Sequence, residues 1–256
     1  MSRRVRAVAV TQSDPFFTGR FFETFLAAGG VELVEVVLLR NFNESRLALA
    51  RRLAGFYPPV DMLRLAGRYG RALVDDRRGV PRSVEAVAAG HGVPVRELPT
   101  INDARYLATL AERDVDVLLS VAAPEIFRSD ALRAAPLVLN VHNGRLPAYR
   151  GMMPTFWALL DGADRVVVTV HEMAERLDAG AVVAEFDVPV GPRDSAFDVS
   201  RNAKAVAGRE VAALLSTAGT ERWPAPRPID AASGSYHGFP TRADARRLRA
   251  AGRRLL

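Results

Sequence analysis

Residues 115–142 read VDVLLSVAAPEIFRSDALRAAPLVLNVH. The first nine residues, VDVLLSVAA, form a short and almost continuous apolar run, the pattern of a strand buried on both faces. A short helical region is expected next. LVLNVH (137–142) then reads as a second strand whose carboxyl end turns polar.

The same alternation extends upstream. RVRAVAV (4–10) and VELVEVVLL (31–39) read as strands, separated by a helix over 16–28 that stops at Gly29-Gly30. Residues 43–78 carry apolar side chains at helical spacing, and Pro58-Pro59 divides them into two helices. A helix over 82–90, a strand at 93–97 and a helix near 102–112 complete this half. Strands alternating with helices predict an α/β fold, a doubly wound and mostly parallel Rossmann-like sheet. Downstream, VVVTVHEM (166–173) and AVVAEFDVPV (181–190) are β-rich and closely linked, which predicts antiparallel additions. A helix over 195–216 follows. Residues 1–216 are assigned to one catalytic domain, and 217–256, rich in Pro and Arg with a short helix at 241–250, to a peripheral C-terminal extension.

Composition narrows the function. The chain has 256 residues and no cysteine, which excludes disulfides, thiolate catalysis and iron–sulfur clusters. The apolar run after MSRRVR is about five residues, too short for a signal peptide. No run approaches the roughly 18 apolar residues of a membrane span. A cytoplasmic protein is expected. The net charge is +6, and 34 of the 35 basic residues are arginine, Lys204 being the exception. These cations are scattered among acidic residues and are not interleaved with aromatics, so nucleic acid is not an expected partner. The turn after the first strand, TQSDPFF (11–17), lacks dinucleotide-binding glycines. A GK[ST] phosphate loop and a G-x-S-x-G nucleophile elbow are also missing.

In open parallel sheets the site lies beyond the carboxyl ends of the strands, which directs attention to Asn140 and His142. Two apart on a strand, they leave the same face and together make an oxyanion clamp. Taken alone, the pair reads more readily as a strand-end pair satisfied by neighbouring backbone. The following residues carry more. N-x-H-x-x-x-L-P-x-Y-R-G (140–151), P-x-x-W (154–157) and T-x-H-x-x-x-x-x-x-D-x-G (169–180) together resemble the folate-dependent formyltransferases. That family includes glycinamide ribonucleotide, methionyl-tRNA and amino-sugar formyltransferases and formyltetrahydrofolate deformylase. The resemblance covers about residues 115–190.

The resemblance implies transfer of a formyl group from 10-formyltetrahydrofolate to an amine through a tetrahedral oxyanion, with no metal. Asn140 would donate to the oxyanion. His142 would stabilise it and act as general acid, and Asp178 would orient His142 or relay the amine's proton. His171 would support the site, although a strand histidine packed on the core is the competing reading. The folate would enter between Ala123, Pro124, Glu125 and Ile126 on one loop and Ala174, Glu175, Arg176 and Leu177 on another, largely through backbone groups. Gln12, Ser13, Arg145, Tyr149 and Arg150 are the candidate residues for the acceptor.

Two departures from the family pattern stand out: Gly144-Arg145 in place of Ser-Leu, and Val167 in place of glycine. The turn at 11–17 disfavours the nucleotide-biosynthesis branch. The 40 residues after 216 are too few for the tRNA branch's added barrel, and no regulatory domain of the deformylase kind precedes residue 4. A small-molecule acceptor, an amino sugar or specialised metabolite, is therefore expected, with a homodimer left open. A formyltetrahydrofolate hydrolase, a tRNA-acting enzyme and a non-catalytic folate-binding protein are the alternatives.

Overall fold

The computed structural model describes residues 3–39 and 46–256. Its strands are β1 (Val5–Gln12), β2 (Val31–Leu39), β3 (Val95–Leu98), β4 (Val117–Val121), β5 (Leu137–His142), β6 (Tyr149–Gly151), β7 (Arg165–Glu172), β8 (Val182–Pro189) and β9 (Ser235–His237). The helices are α1 (Thr18–Ala28), α2 (Arg46–Phe56), α3 (Pro59–Arg77), α4 (Val84–Gly90), α5 (Ala104–Glu112), α6 (Pro154–Leu160), α7 (Ala196–Leu215) and α8 (Arg242–Ala250). The main sheet has the order β3-β2-β1-β4-β5-β7-β8. It is parallel from β3 to β5 and antiparallel at β5–β7 and β7–β8, as the alternation predicts. The first three residues of the expected 43–78 helical segment lie outside the described residues.

Four of the helices start where the sequence supplies a side-chain acceptor for their free amides. Ser83 caps α4 and Asp103 caps α5, while Ser195–Asp198 and Thr241–Asp244 form capping boxes on α7 and α8. Before α1 the Asp14 carboxylate takes the amides of Phe16 (2.7 Å) and Phe17 (3.3 Å).

The expected helical region between β4 and β5 is reduced to a 3-10 turn at Ala131–Arg133. Asn102 accounts for part of this: its amide donates to the Ile126 carbonyl (3.0 Å) and accepts from the Arg128 amide (2.7 Å). Backbone groups that a helix would pair are satisfied by a side chain instead.

The two faces of the sheet differ, and that difference creates the site. On one face Ala7, Ala9, Val117, Leu119, Leu139, Val141, Val166, Val168 and Val170 form a continuous apolar layer under α1 and α7. On the other, Val8, Val10, Val37, Leu118 and Val138 pack against Tyr106, Leu107 and Leu110 of α5 and against Phe127. Because side chains alternate along a strand, this second face continues from Val138 to Asn140 and His142, and on β7 to Thr169 and His171. The same face is thus apolar under α5 and polar at β5 and β7.

The helices α1 and α7 approach so closely that a Cβ on Gly208 would run into the Phe21 carbonyl and the Thr24 hydroxyl. Alanine at 208 gains about 1 kcal/mol of helix propensity, but overpacking costs about 1–3 kcal/mol. Gly208→Ala is expected to destabilise the fold on balance, and Gly208→Val more so, read as a lower midpoint in urea denaturation.

Candidate active site

Strand pairing aligns the polar residues before any side chain is considered. Asn140 on β5 lies opposite His171 on β7, and His142 lies opposite Thr169. The Thr169 hydroxyl donates to the Gly144 carbonyl (2.7 Å), and the Thr155 hydroxyl to the Asn143 carbonyl (3.0 Å). These bonds fold the chain after His142 back over the strand ends.

The β7–β8 hairpin brings in the carboxylate. Gly180 lies so close to the Glu172 carbonyl that any Cβ would collide with it, which forces the loop to fold back. Asp178 sits at φ 50°, a left-handed backbone that Asp adopts more readily than most residues. It is buried. One oxygen accepts from the Gly151 amide (2.8 Å), and the other stands 3.8 Å from both His142 Nδ1 and His171 Nε2. The three residues expected to converge, Asn140, His142 and Asp178, occupy one cluster, with His171 as its fourth member.

Hydrogen bonding fixes the proton positions. His171 Nδ1 lies 2.8 Å from the Glu172 carbonyl, which can only accept, so Nδ1 carries the proton. In the neutral ring Nε2 then accepts, and its neighbour at 3.0 Å is the Asn140 amide nitrogen. Burial, reinforced by the charge of His142, lowers the His171 pKa to about 4, so the ring is neutral near pH 7. Asn140 is therefore held with its NH2 toward His171 and has one N–H left to donate. His142 Nε2 donates to the Tyr149 carbonyl (2.6 Å), leaving Nδ1 turned toward Asp178.

The flanking loops carry the other candidates. Glu125 has its carboxylate engaged inside the protein by the Thr100 hydroxyl, the Ile101 amide (2.8 Å) and the Asn102 amide (3.0 Å). It shapes the loop and leaves Ile126 64% exposed at its tip. On the facing loop Leu177 is 44% exposed, and Ala174, Glu175 and Arg176 are also on the surface. Ala123, Phe127 and Met173 pack on one cluster, which puts both loops on the same face of the sheet. Among the described residues no group of three or more His, Asp or Glu could hold a metal ion.

The acceptor candidates divide. Gln12 is half-buried with an unpartnered Oε1, and the Ser13 hydroxyl donates to Glu85 (2.8 Å). The Tyr149 hydroxyl donates to Asp161 (3.0 Å), and Arg150 is buried with its guanidinium 6.0 Å from the Tyr236 ring. Arg145 faces β8, 3.7 Å from Asp187 and 4.0 Å from Glu185. Two carboxylates within ion-pair range account for its position.

Residues 81–216 match the profile of the family described as Formyl transferase, more than half of the chain. This chain belongs to the formyl transferase family. It is 36% identical over 141 residues to a methionyl-tRNA formyltransferase of Rhodopirellula baltica, an alignment covering 54% of this chain and 42% of that protein. The match thus spans less than half the length of this relative. Its fold is similar to phosphoribosylglycinamide formyltransferase from Anaplasma phagocytophilum, with a TM-score of 0.57, 19% identity and coverage of 84% and 88%. It is also similar to a sugar 3N-formyl transferase solved in the presence of dTDP and 5-N-formyl-THF, with a TM-score of 0.55, 13% identity and coverage of 93% and 70%.

Sequence reasoning reached the four polar side chains but missed two backbone groups that hold them, the Tyr149 carbonyl and the Gly151 amide. Their only sequence signal is Y-x-G within the quoted block.

Because the folded His171 pKa is depressed below its unfolded value of 6.5, the unfolded chain takes up the proton first as pH falls. Its contribution to stability is complete above about pH 6.5 and is lost between pH 6.5 and 4. Thermal midpoints of the wild type should fall more steeply across this window than those of His171→Gln, in which the titrating group is gone.

Proposed function

We propose that the protein transfers a formyl group from 10-formyltetrahydrofolate to the amine of a small molecule, an amino sugar or a specialised metabolite. The observation that carries this reading is the Asn140 amide, oriented by a neutral His171, beside an imidazole and a carboxylate 3.8 Å apart. When bound, the folate supplies an activated formyl carbon on nitrogen. Asn140 donates its remaining N–H to the formyl oxygen as negative charge grows there, an interaction of about 3–4 kcal/mol in comparable sites.

Asp178 has one oxygen without a hydrogen bond, and this oxygen takes the proton lost by the attacking amine. His142, in its protonated form, delivers a proton from Nδ1 to the departing folate nitrogen. The proton on Asp178 then returns to His142 across the 3.8 Å gap, a distance that calls for a bridging water. Each residue ends in its starting state. Ile126 and Leu177 are assigned to the walls of the folate slot.

The turn after β1 bears on the acceptor. Helix N-termini commonly hold phosphate through free amides. Here the Asp14 carboxylate already takes the Phe16 and Phe17 amides, so those donors are not free for a second anion. That favours an acceptor whose phosphate, if any, lies elsewhere.

Asp178→Asn and His142→Ala should each lower kcat by at least about a hundredfold, with folate affinity by titration changed little. Turnover near wild type in either would refute the assigned roles. Incubating the enzyme with 10-formyltetrahydrofolate and no amine distinguishes a hydrolase: rapid loss of the formyl group under those conditions would replace the transferase reading.

A further inference from the structure

The catalytic reading uses β5 and the β7–β8 hairpin and leaves His237, far along the chain, unexplained. His237 ends β9, which pairs in parallel with β6 in the register Tyr149↔Ser235, Arg150↔Tyr236 and Gly151↔His237. Its ring lies between two aromatic planes. The Tyr149 centroid is 6.0 Å away at 25°, and the Trp157 centroid 4.7 Å away at 22°. The Trp157 indole in turn donates to the Met152 carbonyl (3.1 Å) and the Gly238 carbonyl (3.2 Å), tying α6, β6 and the C-terminal segment together. The Met152 amide donates to the His237 carbonyl (2.8 Å) and the Ser235 amide to the Ala148 carbonyl (3.3 Å). No room remains in this junction: a Cβ on Gly151 would strike the His237 carbonyl, and one on Gly234 the Pro147 carbonyl.

The strand gripped in this way is the one that holds the catalytic side chains. Its first residue, Tyr149, offers the carbonyl that receives His142 Nε2, and its last, Gly151, offers the amide that holds Asp178. We propose that β9, anchored by the stacked His237 ring, is a positioning element that sets the Tyr149 carbonyl and the Gly151 amide, and through them His142 and Asp178. The inference rests on the catalytic reading of those two residues.

His237 acts as a flat surface and not as a proton carrier. Its Nε2 is buried without a hydrogen-bond partner, so the protein makes no use of that nitrogen and an apolar ring of similar shape should serve as well. Misplacing a reacting group by about 1 Å can cost on the order of a hundredfold in rate.

Three variants of the full chain test this. His237→Ala should lower kcat by about tenfold to a hundredfold while KM for 10-formyltetrahydrofolate changes less than about threefold. Gly234→Val, which wedges β9 away from Pro147 without touching the aromatic stack, should give the same split. His237→Phe should keep kcat within about twofold of wild type. A second readout does not depend on activity: the side-chain nitrogen resonances of His142 should move in His237→Ala and Gly234→Val and stay in place in His237→Phe. The proposal is overturned if His237→Ala keeps both its kcat and its His142 resonances. It is also overturned if His237→Phe is as impaired as His237→Ala, since the imidazole itself would then be needed. Should Asp178→Asn retain turnover, the catalytic reading fails, and the His142 resonances still decide whether β9 positions that ring.

Discussion

Asp178 grips the Gly151 amide with one carboxylate oxygen and stands between two imidazoles with the other, all in a site almost closed to solvent. A buried carboxylate is expensive unless its charge is compensated. The Gly151 N–H supplies part of that compensation. His171 is locked neutral between the Glu172 carbonyl and the Asn140 amide. Two histidines of the same face are thus held by different partners, His171 by the Glu172 carbonyl and the Asn140 amide and His142 by the Tyr149 carbonyl. Such differences are how environments assign acid and base roles to like side chains.

The fold was largely legible in sequence because its signals are local. Strand runs such as VDVLLSVAA and the Gly29-Gly30 and Pro58-Pro59 breaks mark elements within a few residues of themselves. Of the site, Asn140, His142, His171 and Asp178 were visible because two spaced blocks carry them. What stayed hidden depends on contacts between distant segments. β6 and β9 are three residues each, too short to show a period, and their pairing joins parts of the chain on either side of β7, β8 and α7. The direction of Arg145 was hidden for a similar reason, since Glu185 and Asp187 mean nothing to it until β8 is laid beside β7. The orientation of Asn140 was unreadable too, because it is decided by which nitrogen of His171 meets a carbonyl.

The arginine-rich composition finds a structural use. Glu35, buried on β2, is met by Arg96 (3.0 Å) and Arg113 (3.2 Å) and by the Tyr106 hydroxyl (2.7 Å), and these partners hold its pKa below the usual range despite burial. Asp116 joins Arg3, and Glu32 joins Arg6. A fork of donors on a permanently charged plane suits such carboxylates and suits stacking, as with Arg68 4.2 Å from the Phe197 ring. The one lysine sits under a different constraint. Lys204 is buried on α7 and makes no hydrogen bond among the described residues; burial lowers its pKa to about 8, opposed only by the charge of Asp14. A guanidinium there would keep its charge at any ordinary pH and would have five donors to satisfy. An ammonium can shed its proton instead, and its long stem can be buried as an apolar side chain. Lysine is thus tolerated at the position where a fixed charge would cost most.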